Sequence, residues 1–125
     1  MSVPSIFQQW NACRQWLLPA VECSGEDMEE GDLINALVTG QAQIWPGEEA
    51  AMVTQLVEQD GHRLLHVLLG GGNLRELLLM HFGVASWGRA MGAQWATING
   101  RAGWGRVLEP FGFVLRDGEL WKALT

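Results

Sequence analysis

Three groups of residues in this 125-residue chain have types and spacings that could do chemistry. Gly70, Gly71 and Gly72 follow an apolar run, and Asn73 and Leu74 then open a helical pattern. Backbone N–H groups at such a helix start are free to hold an anion, so these five residues are the candidate phosphate and cofactor site. The competing reading is a tight strand-to-helix turn, since glycine accepts φ > 0. His62 and His66 flank Leu64 two residues apart, which puts them on one strand face. A third and fourth ligand are missing, so the pair reads as a half-exposed face rather than a metal site. His81 falls on the helix that follows and reads as packed or surface rather than as a base. Arg101, Trp104 and Arg106 form the third group, on a late helix. Trp and Arg are the types in which protein interfaces concentrate their energy, which makes these three the candidate partner site.

The elements that must position these groups follow from pattern. Residues 64–69 form a short, continuous apolar run, as in a strand buried on both faces. Asn73 and Glu76 have capping-box spacing, and Leu74, Leu77, Leu78, His81, Ala85, Gly88 and Met91 recur at helical spacing up to Gly92. Upstream, Ser5 and Gln8 can cap a helix with the stripe Ile6, Trp10, Cys13, Leu17 and Ala20, which Pro19 bends or ends. A second helix, capped by Asp27 or Asp32, buries Leu33, Ile34, Leu37 and Val38 and stops at Gly40. Residues 41–45 alternate as a strand. Residues 50–58 and 62–69 form a hairpin through Asp60-Gly61. After the long helix come a strand over 94–99, a helix over 100–111 ended by Gly112, and strands over 113–116 and 120–124 joined by Asp117-Gly118. Trp10, Trp16, Trp87 and Trp95 have core spacing. The expectation is one α/β (α+β) domain spanning 1–125, a twisted mixed sheet with helices on both faces in the order α-α-β-β-β-α-β-α-β-β.

Composition narrows the function classes. Residues 1–60 carry one basic side chain against ten acidic ones, and 61–125 carry seven against four, for a net charge of −6. General affinity for nucleic acid or an anionic membrane is not expected of such a chain. The basic half suits one anion or an acidic partner, and the acidic half of a second copy suits it equally, so a protein partner or self-association is expected. Two cysteines, in or beside one helix, predict neither a disulfide framework nor a zinc site. No apolar run approaches the length of a membrane span, and no secretory leader pattern opens the chain, so the reading is cytoplasmic. Seven tryptophans accompany no tyrosine.

The element order resembles that of the GNAT family, the acetyl-CoA-dependent N-acetyltransferases, over nearly the whole chain. The glycine triplet opening a long helix and Leu108-Glu109-Pro110-Phe111-Gly112-Phe113 carry that resemblance locally. Residues 91–108 also look like small GNAT-like proteins of tailed phages and prophages, which implies a host-cytoplasmic or virion-associated protein. In the family, Arg/Gln-x-x-Gly-x-Gly/Ala wraps the CoA pyrophosphate. Gly70 and Gly72 match its glycines, but Val67 stands where the family has Arg or Gln. The family's general-acid Tyr corresponds to Leu108. Glu58, otherwise a solvated strand end, stands about where such a protein places the carboxylate that deprotonates its amine, which makes it the candidate catalytic residue. The resemblance therefore implies a catalytically degenerate GNAT fold that works as a protein-binding or structural module, with no cofactor. The alternative is an acetyl-CoA-dependent acyltransferase of weak turnover.

Overall fold

The computed structural model describes residues 5–23, 28–99 and 104–124. Helix α1 is Ile6–Cys23. Its start is a true capping box: Ser5 N–H donates to Gln8 Oε1 at 2.8 Å, and Gln8 N–H donates to Ser5 Oγ at 3.2 Å. Pro19 lies inside the helix instead of ending it. One backbone bond is lost there, but Leu17, Ala20 and Val21 are all buried in the same cluster, and that packing holds the last turn. Helix α2 is Glu30–Val38, and its N-cap is Glu29 rather than Asp32, which falls inside the first turn. Asp27 lies outside the described residues. Leu33 and Leu37 are buried as expected, whereas Val38 is exposed, because one residue past Leu37 the helix has already turned away from the sheet. Gly40, at φ 81°, follows the Thr39 cap.

Six strands form one open mixed sheet: β1 Gln43–Pro46, β2 Ala50–Gln59, β3 His62–Gly72, β4 Trp95–Asn99, β5 Val114–Arg116 and β6 Glu119–Ala123, in the order β1-β2-β3-β4-β6-β5. The β3/β4 pair is parallel and the others antiparallel. The parallel pair needs a crossover, which is α3, Leu74–Ala90. Helix α4, Trp104–Leu108, runs into a 3-10 turn over Glu109–Phe111 that Gly112 closes at φ 93°. The described part of the helix expected over 100–111 begins at Trp104; residues 100–103 lie outside the described residues. The fold is thus mixed α+β. Helices α1 and α2 pack with Ala51, Val53 and Leu69 on one face, and α3 and α4 with Met52, Leu65, Ala96 and Leu120 on the other.

Two departures from the expected pattern shape the middle of the sheet. Strand β3 does not stop at Leu69 but runs through the glycines, pairing Gly70, Gly71 and Gly72 with Met52, Ala51 and Ala50. It also carries a bulge. Thr54 pairs with Val67 and Val53 with Leu69, so Leu68 has no opposite residue. The extra residue switches the strand's facing: Leu65 and Val67 pack toward α3, Leu69 toward α1. An apolar run without alternation hides such a switch.

Candidate functional site

Pairing between β3 and β4 covers only Leu64 to Val67 opposite Trp95 to Ile98. Strand β4 ends one residue beyond it, at Asn99, and among the described residues no strand covers that edge of Leu68, Leu69 and Gly70. A cleft with a cavity volume of about 80 Å³ fills the gap, smaller than a drug-sized ligand site. Ala20 of α1 closes one side, Leu77, Leu78 and His81 of α3 the other, and Trp104 and Leu108 of α4 the end. The lining is mostly apolar. His66, Asn99 and His81 are its polar side chains. His66 Nδ1 is 2.9 Å from Thr97 Oγ1, which orients its ring. A shallower depression adjoins at Ala20 and Gly70 and runs past Gln15, Trp16, Gly71 and Gly72.

The glycines differ in role. A β-carbon on Gly70 would meet only the two Leu77 methyls, at 3.7 and 3.9 Å, inside the cleft. One on Gly71 would stand 2.1 Å from the Trp16 carbonyl oxygen, and one on Gly72, at φ 101°, 2.3 Å from the Glu49 carbonyl. Gly71 and Gly72 are therefore required by close backbone packing. At the start of α3, Asn73 Oδ1 accepts from Glu76 N–H at 3.0 Å. Glu76 does not return the bond to Asn73; its carboxylate accepts from Glu49 N–H at 3.0 and 3.2 Å. The Asn73 N–H donates to the Glu49 carbonyl at 2.8 Å. A carboxylate thus already sits in the first turn of α3 beside Leu74, complementing the helix dipole.

His81 is 8% exposed. Its Nδ1–H donates to the Leu78 carbonyl at 2.5 Å, which leaves Nε2 as acceptor for Lys122 Nζ at 3.1 Å. Phe82, Phe111 and Phe113 surround the ring. Burial pushes the imidazole below its ordinary range; the Leu78 carbonyl opposes this and the Lys122 charge adds to it. Burial also lowers Lys122. Nothing in helical spacing links positions 81 and 122. The available signal is compositional: Lys122 is the only lysine in the chain.

Of the remaining candidates among the described residues, Trp104 lines the cleft and Glu58, His62 and Arg106 do not. Glu58 is exposed and bound to Arg63, with 2.5 Å between Oε1 and Nε, and it does not line the cleft. Trp104 is half-buried in the cleft wall, Arg106 is exposed, and Arg101 lies outside the described residues. His62 is exposed, 2.6 Å from Gln94 Oε1. Among the described residues no three His, Cys, Asp or Glu side chains gather as a metal requires, and no helix is long and apolar enough to cross a membrane. A second feature escaped sequence reading. Trp95 and Trp121 meet edge-to-face at 6.0 Å with Arg116 5.9 Å over Trp121, in a shallow depression shared with His62 and Leu64. Trp121 Nε1 is buried there without a hydrogen-bond partner among the described residues.

No protein-family model and no curated protein matches this sequence. The functional reading therefore rests on the site itself.

Proposed function

We propose that this chain is a GNAT-like domain whose cleft holds an acyl thioester of the acetyl-CoA kind, with weak or absent transfer to free amines. The observation that supports this reading is the edge of β3 past Val67, which the parallel partner β4 leaves uncovered among the described residues. An extended amide-containing arm fits there, because the uncovered strand edge at Leu68, Leu69 and Gly70 can pair with amides while the walls take up apolar surface. The phosphate end then meets Asn73 and Leu74, where the Glu76 carboxylate opposes it and Val67 supplies no positive charge. Weak transfer follows from the absent tyrosine and from Glu58 being held by Arg63. Titration calorimetry with acetyl-CoA tests the reading. One-to-one binding is expected, and Gly70→Leu, which fills the cleft beside Leu77, should abolish it without lowering Tm much. No heat at millimolar ligand would refute it.

A second reading, a catalytically degenerate module that binds protein and belongs to a phage particle or host factor complex, draws on surface features. Val114 and Leu115 are 65% and 63% exposed on β5, whose outer edge is open in the described structure. Arg106 is exposed on α4. The resemblance to small phage proteins lies in residues 91–108, of which 100–103 are outside the described part.

A further inference from the structure

A chain with seven arginines and one lysine has placed that lysine in an unusual setting. Lys122 lies on β6 facing α3, with Nζ 3.1 Å from His81 Nε2 and 5.6 and 5.7 Å from the rings of Phe82 and Phe113. The ion pairs among the described residues are Arg14–Glu30 and Arg63–Glu58, so no described carboxylate pairs with Lys122. The ionisable neighbours from α3 are His81 and Arg89, the latter across a shared surface depression that also holds Ser86. The β4 residue opposite is Ala96, and Gly112 of the 3-10 turn lies against the lysine stem. His81 lines the cleft and also, with Met52, Val67 and Lys122, a small apolar cavity, so the imidazole is common to both spaces.

We propose that Lys122 is a nucleophilic amine that takes an acyl group from a thioester bound in the cleft, with His81 Nε2 receiving its proton. The donor's identity rests on the cleft reading above; the amine's reactivity does not. Lys122 first loses one proton to solvent, as burial without a counter-charge favours. The neutral amine attacks the thioester carbonyl, forming a C–N bond. The proton it then sheds passes to His81, whose Leu78 hydrogen bond keeps Nε2 available. The C–S bond breaks, the thiolate takes up that proton, and an amide remains on Nζ with a free thiol as the other product.

The test is intact mass with peptide mapping after exposure to acetyl-CoA and, separately, to N-hydroxysuccinimidyl acetate, which needs no binding site. Both reagents should place one acetyl group on Lys122, with a rate that reaches half its maximum below the ordinary lysine value of about 10.4. His81→Gln should slow the acetyl-CoA reaction about a hundredfold. Gly70→Leu should block that reaction and spare the ester reaction. Lys122→Arg should remove the adduct, and if His81→Gln fails to fold, the wild-type pH profile decides. An ordinary lysine profile with the ester, or a folded His81→Gln protein with unchanged rates, overturns the proposal. If the ester labels Lys122 and acetyl-CoA does not, calorimetry separates the failures. Binding without labelling refutes transfer to Lys122; no binding refutes the cleft reading and the thioester donor with it.

Discussion

The backbones of Gly71 and Trp16 approach so closely that a β-carbon on Gly71 would stand 2.1 Å from the Trp16 carbonyl oxygen. Neither side can yield, because one is a paired strand and the other a helix backbone. Gly71→Ala is expected to destabilise the fold by about 3 kcal/mol. Gly70→Ala, which meets only Leu77 methyls at van der Waals distance, should change stability by less than about 0.5 kcal/mol beyond the modest propensity effect. Chemical denaturation of the two variants checks this, and equal losses would remove the distinction between them.

Of the leucines on α3, Leu77 is buried, while Leu74 and Leu79 are 43% and 62% exposed. Leu77→Ala should cost about 2–5 kcal/mol. Leu79→Ala should stay within about 0.5 kcal/mol of wild type. Thermal melts with matched denaturant curves measure both.

Glu30 ties α2 to α1. Its Oε1 accepts from Arg14 Nε at 2.6 Å and from Trp10 Nε1 at 2.7 Å, and Arg14 Nη2 reaches Oε2 at 3.2 Å. Hydrogen bonds from Arg14 and then Trp10 hold this carboxyl below the usual range. A lowered folded-state value means that the stabilisation is complete above the unfolded value, about 4.3, and is lost as pH falls through the folded one. The Tm advantage of wild type over Glu30→Gln should therefore shrink below about pH 4 and vanish in stronger acid. A gap that widens on acidification would contradict the sign.

If the chain assembles with itself or another protein, Arg101→Glu with Arg106→Glu should leave Tm nearly unchanged and abolish assembly. Leu115→Lys should weaken it separately, by charging the open edge of β5. Sedimentation and pull-down experiments read both effects, and unchanged behaviour would exclude these surfaces.

The parts of the fold written in local chemistry were legible in the sequence. Asp60-Gly61 and Asp117-Gly118 both adopt positive φ, 52° and 78° in the first and 51° and 80° in the second, as two-residue hairpin turns require. The Ser5–Gln8 box, the Asn73 cap and the αL glycines at 92 and 112 are equally local. Pro19 does not end α1, because tertiary packing outweighs its local cost. The Leu68 bulge left no mark, since leucines serve both faces of the sheet. The site was less legible still. The glycine triplet reads in sequence as an anion loop or a tight turn, and its pattern gives no sign of the close approach of Gly71 to Trp16 and of Gly72 to Glu49. His81 and Lys122 meet across forty-one positions, a contact set by the crossover of α3 and the register of β6.

Strand β3 is one residue longer than its partner requires, and the surplus can be subtracted. Without Leu68, Val67 would be followed directly by Leu69, opposite Thr54 and Val53, and strict alternation would return with every other β3 side chain on its present face. The hairpin has no geometric need of this residue; the cleft, which Leu68 lines, does. Deleting Leu68 should therefore keep the β2–β3 pairing while removing both a wall of the cleft and a contact with the α1 core, which a denaturation curve beside that of wild type would measure.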